Sequence, residues 1–139
     1  MGAPAGFELL EHTADVGIRA WGSSANEAFA EAALGLAGLM GIRVARRGER
    51  RTVRARAGDL PALLVAFLDE LLGIYETESL GFAAVDVIAL SEHGLIAEVE
   101  TGPAPVDPVG TSVKAATYHQ LAVEHRPGGA VEVRVFLDV

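Results

Sequence analysis

The sequence predicts an α+β fold, in which two amphipathic helices accompany a largely antiparallel β-sheet. Two stretches repeat apolar residues at helical spacing, whereas the segments around them alternate apolar and polar residues. The predicted order is two strands, a helix, a strand, a helix and then about four strands, which is typical of an α+β protein. Since we find no internal repeat and no long linker, we expect one compact domain over residues 1–139.

Two short strands are predicted near the start of the chain. Residues 7–10 are short and mostly apolar, and in residues 16–21 an apolar side chain occupies every second position, at Val16, Ile18 and Ala20. Such alternation predicts a strand with one buried face.

The first helix is predicted to begin after Ser24. Ser24 and Glu27 form a capping box, in which the serine caps the first turn and the glutamate bonds back to the cap. Gly41 is the predicted stop. Gly35 and Gly38 lie inside this helix, where each glycine costs about 1 kcal/mol relative to alanine. We therefore expect another element to pack closely against both.

The second helix follows a strand predicted over residues 50–57. Asp59 is its predicted cap, and Pro61 is tolerated in the first turn. Its apolar stripe is the cleanest in the chain and consists of Leu60, Leu63, Leu64, Phe67, Leu68, Leu71, Leu72 and Tyr75.

After this helix the pattern changes to alternation. Strands are predicted over residues 85–89, 95–99, 111–124 and 131–137. Glu92-His93-Gly94 is the predicted hairpin turn. Residues 102–108 contain three prolines and are predicted to form a loop, because proline cannot join a sheet interior.

Composition excludes several classes of protein. There is no cysteine, which excludes disulfides, thiolate zinc sites and thiol nucleophiles. No apolar run approaches the roughly 20 residues that cross a bilayer, and no secretory signal opens the chain. A net charge of −8 argues against a protein that coats nucleic acid. We expect a cytoplasmic protein with no membrane or DNA partner.

Basic residues are concentrated between Arg43 and Arg56. We favour a solvated loop and strand face for this segment, and the alternative is a docking patch for RNA or for an acidic protein surface. No aromatic residue lies among these arginines to stack on bases. Seven of the eleven basic residues fall here: Arg43, Arg46, Arg47, Arg50, Arg51, Arg54 and Arg56.

Polar residues in otherwise apolar segments are the candidates for a functional site. Glu11, His12 and Asp15 cluster near the first strand connection, and Asp138 ends the last predicted strand. These groups can converge on a hard cation or a polar partner. The alternative is that His12 and Asp15 satisfy backbone groups in a turn, and that Asp138 is solvated.

Two further sets of polar residues are weaker candidates. Lys114, Tyr118 and Gln120 share a face of the predicted 111–124 strand. Asp69 and Glu70 are adjacent acids near the middle of the second helix. We favour a solvated helix face for the acids, with ligand or docking roles as the alternative. No phosphate-binding P-loop, nucleophile elbow, calcium loop or zinc helix motif occurs.

Four motifs in order resemble the archease family. They are Glu11 to Gly17, Asp59-Leu60 before the leucine-rich helix, Lys114 to His119, and Leu137-Asp138-Val139. The resemblance spans nearly the whole chain and implies a compact α+β domain. Archeases are protein cofactors of RtcB-type RNA ligases, which join tRNA halves and other cleaved RNAs. The resemblance therefore implies an activator that promotes ligase guanylylation and multiple turnover, and that meets RNA only through the ligase.

The resemblance also implies a divalent-metal site. The family's site, calcium in structures, maps onto Asp15, Asp138 and a main-chain oxygen of Val139. Oxygen ligands suit Ca²⁺, with Mg²⁺ or Mn²⁺ as alternatives. No catalytic residue is expected. The predicted docking or supporting residues around the metal are Glu11, His12, Asp69, Lys114, Tyr118 and His119.

Two other functions fit the same residues. Asp15 and Asp138 would hold Mg²⁺ in a metal-dependent phosphoryl-transfer enzyme, with His12 or His119 as acid or base. A general chaperone or modulator of RNA-processing proteins would need no metal. The RNA substrates, the oligomeric state and the docking surface stay open.

Overall fold

The structure, a computed structural model, describes residues 4–11, 15–45 and 48–139. Within these ranges the chain forms two α-helices and eight strands. The elements are β1 (Gly6–Glu11), β2 (Val16–Gly22), α1 (Ala25–Met40), β3 (Arg50–Arg56), α2 (Leu60–Glu78), β4 (Leu80–Leu90), β5 (Gly94–Pro103), β6 (Ala115–Ala116), β7 (Ala122–His125) and β8 (Val131–Asp138).

The α+β class is confirmed, but the strands form two antiparallel sheets where one was expected. In the first sheet the order is β1-β2-β8, and β6 and β7 both pair with the far side of β8. In the second sheet the order is β3-β5-β4. Both helices contact both sheets: α1 packs on β2 and β4, and α2 packs on β3 and β6. The helices therefore cover one face of each sheet, and the opposite faces are called the outer faces below.

Both ends of α1 lie where the sequence predicted them, but one hydrogen bond of the predicted capping box is made to a different residue. The Ser24 side chain accepts a hydrogen bond from the Glu27 backbone N–H at 3.2 Å, and Gly41 takes the left-handed conformation with φ 72°. The Glu27 carboxylate, however, accepts from the backbone N–H and the hydroxyl of Ser23, both at 2.9 Å, and not from Ser24. These two bonds lower the pKa of Glu27.

Close packing is confirmed at one of the two helical glycines. A Cβ at Gly35 would lie 3.0 Å from the Phe7 ring and 3.1 Å from the Ile18 side chain. At Gly38, which is exposed, the nearest atom belongs to Phe7 and lies 3.9 Å away. The prediction was wrong for Gly38, because that side of the helix faces solvent.

The second helix begins as predicted. Asp59 accepts from the Ala62 backbone N–H at 2.8 Å, and Pro61 lies in the first turn. Most of the predicted apolar stripe is fully buried, in contact with the core residues of both sheets. The fully buried members are Leu63, Leu64, Phe67, Leu68 and Leu71.

The long strand predicted over residues 111–124 was wrong. Only β6 and β7 are strands in that region. Their partner β8 has eight residues, which is too few to pair with the whole predicted strand. Between them, the Thr117 N–H and hydroxyl both donate to the Phe136 carbonyl at 2.9 Å. Gln120 then adopts a left-handed φ of 50°, which ends the extended conformation.

The loop predicted over residues 102–108 was wrong at its start. Gly102 and Pro103 belong to β5, where they pair with Gly81 and Leu80. The ladder between β3 and β5 ends at Glu100, so the last residues of β5 have a strand partner on one side only. Proline is tolerated there because no second ladder needs its missing N–H.

Charged side chains follow the outer face of the first sheet. Ile18 and Val135 are fully buried on the helix side, whereas Arg19 points outward between Glu8 at 3.1 Å and Glu132 at 2.9 Å. Its guanidinium also lies 4.7 Å from the centre of the Trp21 ring, within cation–π range.

Neither helix in the described ranges has the length and apolar composition of a membrane-spanning segment.

Both members of the Arg19–Glu132 pair have a shifted pKa. The Glu132 hydrogen bond raises the pKa of Arg19, against the desolvation of its guanidinium. Burial opposes ionisation of Glu132, but the hydrogen bonds and positive charges of Arg19 and Arg126 outweigh it, so the pKa of Glu132 lies below its usual range. A carboxyl with a lowered folded-state pKa stabilises the fold above its unfolded pKa and loses that contribution as the pH falls.

We therefore predict that Glu132→Gln lowers the free energy of unfolding at pH 7 by about 1 kcal/mol. The difference from wild type should begin to narrow as the pH falls below about 4, the usual pKa of a glutamate, and should close once the pH lies below the lowered pKa of folded Glu132. Urea unfolding at pH 7 and at acid pH measures both values. Glu124→Gln is the control, since Glu124 is exposed and pairs only with Arg126 among the described residues. An equal loss at both pH values would mean that the effect is packing and not charge.

Candidate functional site

The register between β2 and β8 brings the two predicted metal ligands to the same end of the first sheet. Val16 lies opposite Leu137, and the strands run antiparallel. The ladder ends at that pair, and continuing its register by one step would place Asp15, which immediately precedes β2, opposite Asp138, the last residue of β8. Asp15 is half-buried and Asp138 is exposed. Two residues far apart in sequence therefore lie at the same end of one strand pair.

The opposite side of β8 holds the segment that contains Lys114. Ala115 of β6 pairs with Asp138, and the Lys114 backbone N–H donates to the Asp138 carbonyl at 2.7 Å. The backbone of Asp138 is therefore fixed by its neighbour, while its side chain and that of Lys114 are exposed. The main chain of Asp138 is therefore held in place by hydrogen bonds, and its carboxylate is in contact with solvent.

Asp69 connects α2 to the same segment. Its Oδ1 accepts a hydrogen bond from the Ala116 backbone N–H at 3.0 Å. Ala116 is itself buried and pairs with Leu137, the residue before Asp138. The sequence predicted a solvated acid or a docking residue at this position, and nothing in the local pattern indicated a bond to a strand 47 positions away.

An aromatic contact lies beside the acids on the outer face. Gly17 pairs with Phe136, and a Cβ at Gly17 would lie only 2.8 Å from the Phe136 ring. His119 packs edge-on against Phe136, with ring centroids 6.0 Å apart and planes at 68°. Phe136 and Asp138 alternate along β8 and so share this face, about 6.7 Å apart. Sequence reasoning missed Gly17 and Phe136, although a glycine inside a strand is itself a sign of close approach.

The remaining predicted site residues lie around this end of the sheet in different settings. Glu11 is exposed and pairs with Val16, so strand alternation places it on the face opposite to that of Asp15. Tyr118 is 67% exposed and Val139 41% exposed. His12 lies outside the described residues.

The donor set at this site suits a hard divalent cation. Carboxylate oxygens are the ligands that Ca²⁺, Mg²⁺ and Mn²⁺ prefer, and two carboxylates at one end of a strand pair repel less when a cation lies between them. Among the described residues, no group of three or more histidine or acidic side chains is close enough to hold a metal ion. The described part of the chain therefore offers two carboxylates, and metal binding stays a prediction.

Comparison with known proteins identifies the family. The model of the Archease protein family matches residues 7–139. This range includes both helices and all eight strands, apart from Gly6, the first residue of β1. The chain belongs to the archease family. The family resemblance read from the sequence is thereby confirmed.

Curated archeases align along most of their length. The archease of Thermococcus kodakarensis is 38% identical over 129 residues, covering 88% of this chain and 91% of the relative. The archease of Pyrococcus abyssi is 34% identical over 139 residues, covering 96% and 98%.

Solved structures share the fold. The solution structure of protein 1598 from Methanobacterium thermoautotrophicum superposes with a TM-score of 0.77 at 30% identity, covering 96% of this chain and 99% of that one. The crystal structure of an archease from Thermotoga maritima, described as a possible chaperone, gives a TM-score of 0.64 at 24% identity, covering 100% and 98%. The arrangement of two helices with two antiparallel sheets is thus an archease fold.

The bond from Asp69 yields a prediction about the position of β6. In Asp69→Ala the partly buried Ala116 N–H loses its acceptor, so the free energy of unfolding should fall by about 1 kcal/mol. Asp69→Asn keeps an oxygen acceptor and should lose less. Amide hydrogen exchange at Ala116, with urea unfolding, measures the effect. Glu70→Ala, an exposed neighbour on the same helix, is the control. Unchanged exchange at Ala116 in Asp69→Ala would contradict a positioning role for this bond.

Proposed function

We propose that this protein is an accessory protein that activates an RtcB-type RNA ligase and has no catalytic activity of its own. It promotes guanylylation of the ligase and its multiple turnover in tRNA splicing and RNA repair. The observation that supports the proposal is the register of β2 and β8, which leads Asp15 and Asp138 to the same accessible end of the sheet in an archease-family chain.

The exposure of the site favours action across an interface. Asp138 is exposed, as are the Lys114 and Tyr118 side chains of the adjoining segment. A cavity of about 370 Å³ lies on the second sheet and is lined by residues of β3, β4 and β5 with the turn between them, not by these acids. A partner that carries GTP, RNA phosphate and divalent metal in its own active site offers the cations that such carboxylates engage.

A divalent cation is part of this proposal. Ca²⁺ is the ion we expect, with Mg²⁺ or Mn²⁺ as alternatives, held by the carboxylates of Asp15 and Asp138 and a main-chain oxygen of Val139. The ion would neutralise the facing acids and add a positive charge to the surface presented to the ligase. We place this function in the cytoplasm, as expected from the sequence, with RNA contacted through the ligase.

The first test measures ligase turnover. Under limiting ligase, wild-type protein should raise guanylylated ligase and joined RNA. Asp138→Asn should reduce that stimulation by more than about tenfold, because truncating one member of an interfacial charge pair commonly costs about 2–5 kcal/mol. Asp107→Asn, the same change at an exposed loop residue, should act as wild type.

Three results would contradict the proposal in distinct ways. Full stimulation by Asp138→Asn would leave that acid as a solvated strand end. RNA joining or GTP consumption by the protein alone would favour the phosphoryl-transfer enzyme. Equal stimulation of unrelated RNA-processing proteins would favour a general chaperone.

The second test measures metal binding without the ligase. Calorimetric titration with CaCl₂ should give a binding isotherm for wild type and a weaker one for Asp15→Asn, because one of two anionic ligands is lost. Asp107→Asn again provides the matched control. Equal calcium affinity in wild type and Asp15→Asn would remove the metal from the proposal while leaving ligase activation to be judged by the first test.

A further inference from the structure

β3 lies at the edge of the second sheet. In the described part of the chain, no strand pairs with the side of β3 that points away from β5. Its seven residues pair only with β5, in an unbroken register from Arg50 with Glu100 to Arg56 with Gly94. The opposite edge of this sheet, β4, has two irregularities in its register, between Phe82 and Ala84 and between Val87 and Ala89. Irregular edges resist further pairing, whereas a straight edge with free N–H and C=O groups permits it.

Three of the four exposed positions on one face of this strand are arginines, and the fourth is Thr52. Arg50, Arg54 and Arg56 are exposed, whereas Val53 and Ala55 between them are buried. Strand alternation therefore places the three arginines on the outer face, with Arg54 and Arg56 spaced by about 6.7 Å. The exposed strand face predicted from the sequence is confirmed.

Only part of this row has a counter-charge. Arg50 pairs with Glu100 at 3.4 Å. Across the ladder, Arg54 lies opposite Ile96 and Arg56 opposite Gly94, neither of which carries an acceptor side chain. Among the described residues, neither Arg54 nor Arg56 has an ion pair.

The cavity beside Arg54 and Arg56 offers them no carboxylate either. Its volume is about 370 Å³, and its far wall is largely apolar, with Ala89, Leu90 and Ile96. The one hydroxyl in the wall, that of Ser91, exchanges hydrogen bonds with the Gly94 backbone. Neither the directly opposed residues nor the cavity lining supplies a carboxylate to these two guanidiniums, so a partner molecule can supply one.

We propose that the outer edge of β3 binds an extended acidic segment of a partner protein as an added strand. Acidic side chains at alternate positions of that segment would face Arg54 and Arg56, because directly opposed residues on neighbouring strands lie about 4.5–5.5 Å apart. Backbone pairing supplies affinity, and the spacing of the charges selects the sequence. The proposal is independent of the acidic site on the first sheet.

The surroundings favour an acidic protein segment over nucleic acid. Glu98 and Glu100 lie on the adjacent strand of the same face, where they would repel a phosphate backbone. A carboxylate segment meets that repulsion beside Thr52 and Arg50, which lie opposite Glu98 and Glu100, whereas Arg54 and Arg56 lie opposite uncharged residues and match its alternate spacing. No aromatic residue lies on β3 to stack on bases.

The experiment uses the full chain and short capped peptides as probes. A peptide of alternating glutamate and valine should bind wild type, as followed by NMR titration of the β3 amides. Arg54→Gln/Arg56→Gln should weaken binding by about fivefold to tenfold, since two exposed charge pairs are lost. Arg43→Gln/Arg126→Gln removes the same charge at exposed residues outside β3 and should bind as wild type. The backbone amides of β3 that point away from β5 should become protected from hydrogen exchange when the peptide binds.

Defined outcomes would overturn the proposal. Equal binding of a peptide with N-methyl groups at alternate residues would exclude backbone pairing. Equal loss of affinity in both double variants would leave only a general charge effect. Binding of oligouridylate but not of the acidic peptide, sensitive to Arg54→Gln/Arg56→Gln, would make the edge a nucleic-acid surface. No binding of the acidic peptide to folded wild type would refute it outright.

Discussion

Seven consecutive residue pairs join β2 to β8, and the rest of the first sheet is built on that ladder. Its inward side chains, Ile18 and Ala20 on one strand and Val133 and Val135 on the other, have no solvent exposure. The helix α1 packs against them, and its Gly35 permits contact with Ile18 and Phe7 at distances that a side chain would prevent. Burial of this apolar layer is the main stabilising contribution to this half of the molecule.

The same ladder determines where the functional groups lie. A slip of one residue would turn the buried side chains of one strand, with either Ile18 or Val135 among them, to the outer face and would shift Asp15 relative to Asp138. The burial of Phe136 against Gly17 opposes such a slip, because the ring fits only where the opposite strand has no side chain. The register that the core requires is therefore also the one that leads the two acids to the same end of the sheet, so stability and the candidate site depend on a common constraint.

Elements with strong local signals could be predicted from the sequence. The caps at Ser24 and Asp59, the stripe of α2 and the alternation in β2 and β8 depend on neighbours a few positions away, and the structure confirms them. The division into two sheets could not be predicted, since alternation indicates a strand without naming its partner. Residues 111–124 alternate equally well, but β8 has too few residues to pair with all of them.

The candidate site was open to prediction only in part. Asp15 and Asp138 were named from their motifs, and their juxtaposition follows from a pairing between distant segments that no local pattern specifies. The bond from Asp69 to Ala116 and the contact of His119 with Phe136 arise where a helix or a loop meets the sheet. Such contacts depend on tertiary geometry, and their sequence signal is limited to single residues such as Gly17.

The long separation between β2 and β8 also has a consequence for the order in which the chain folds. The Arg19–Glu132 contact joins residues 113 positions apart, whereas β3, α2, β4 and β5 form a continuous segment between them. Contacts between distant positions form slowly because the intervening chain must first be closed into a loop. We therefore expect the three-stranded sheet with α2 to form early, while β2 keeps an unpaired edge until β8 is in place. During that interval β2 is the strand most exposed to pairing with another molecule.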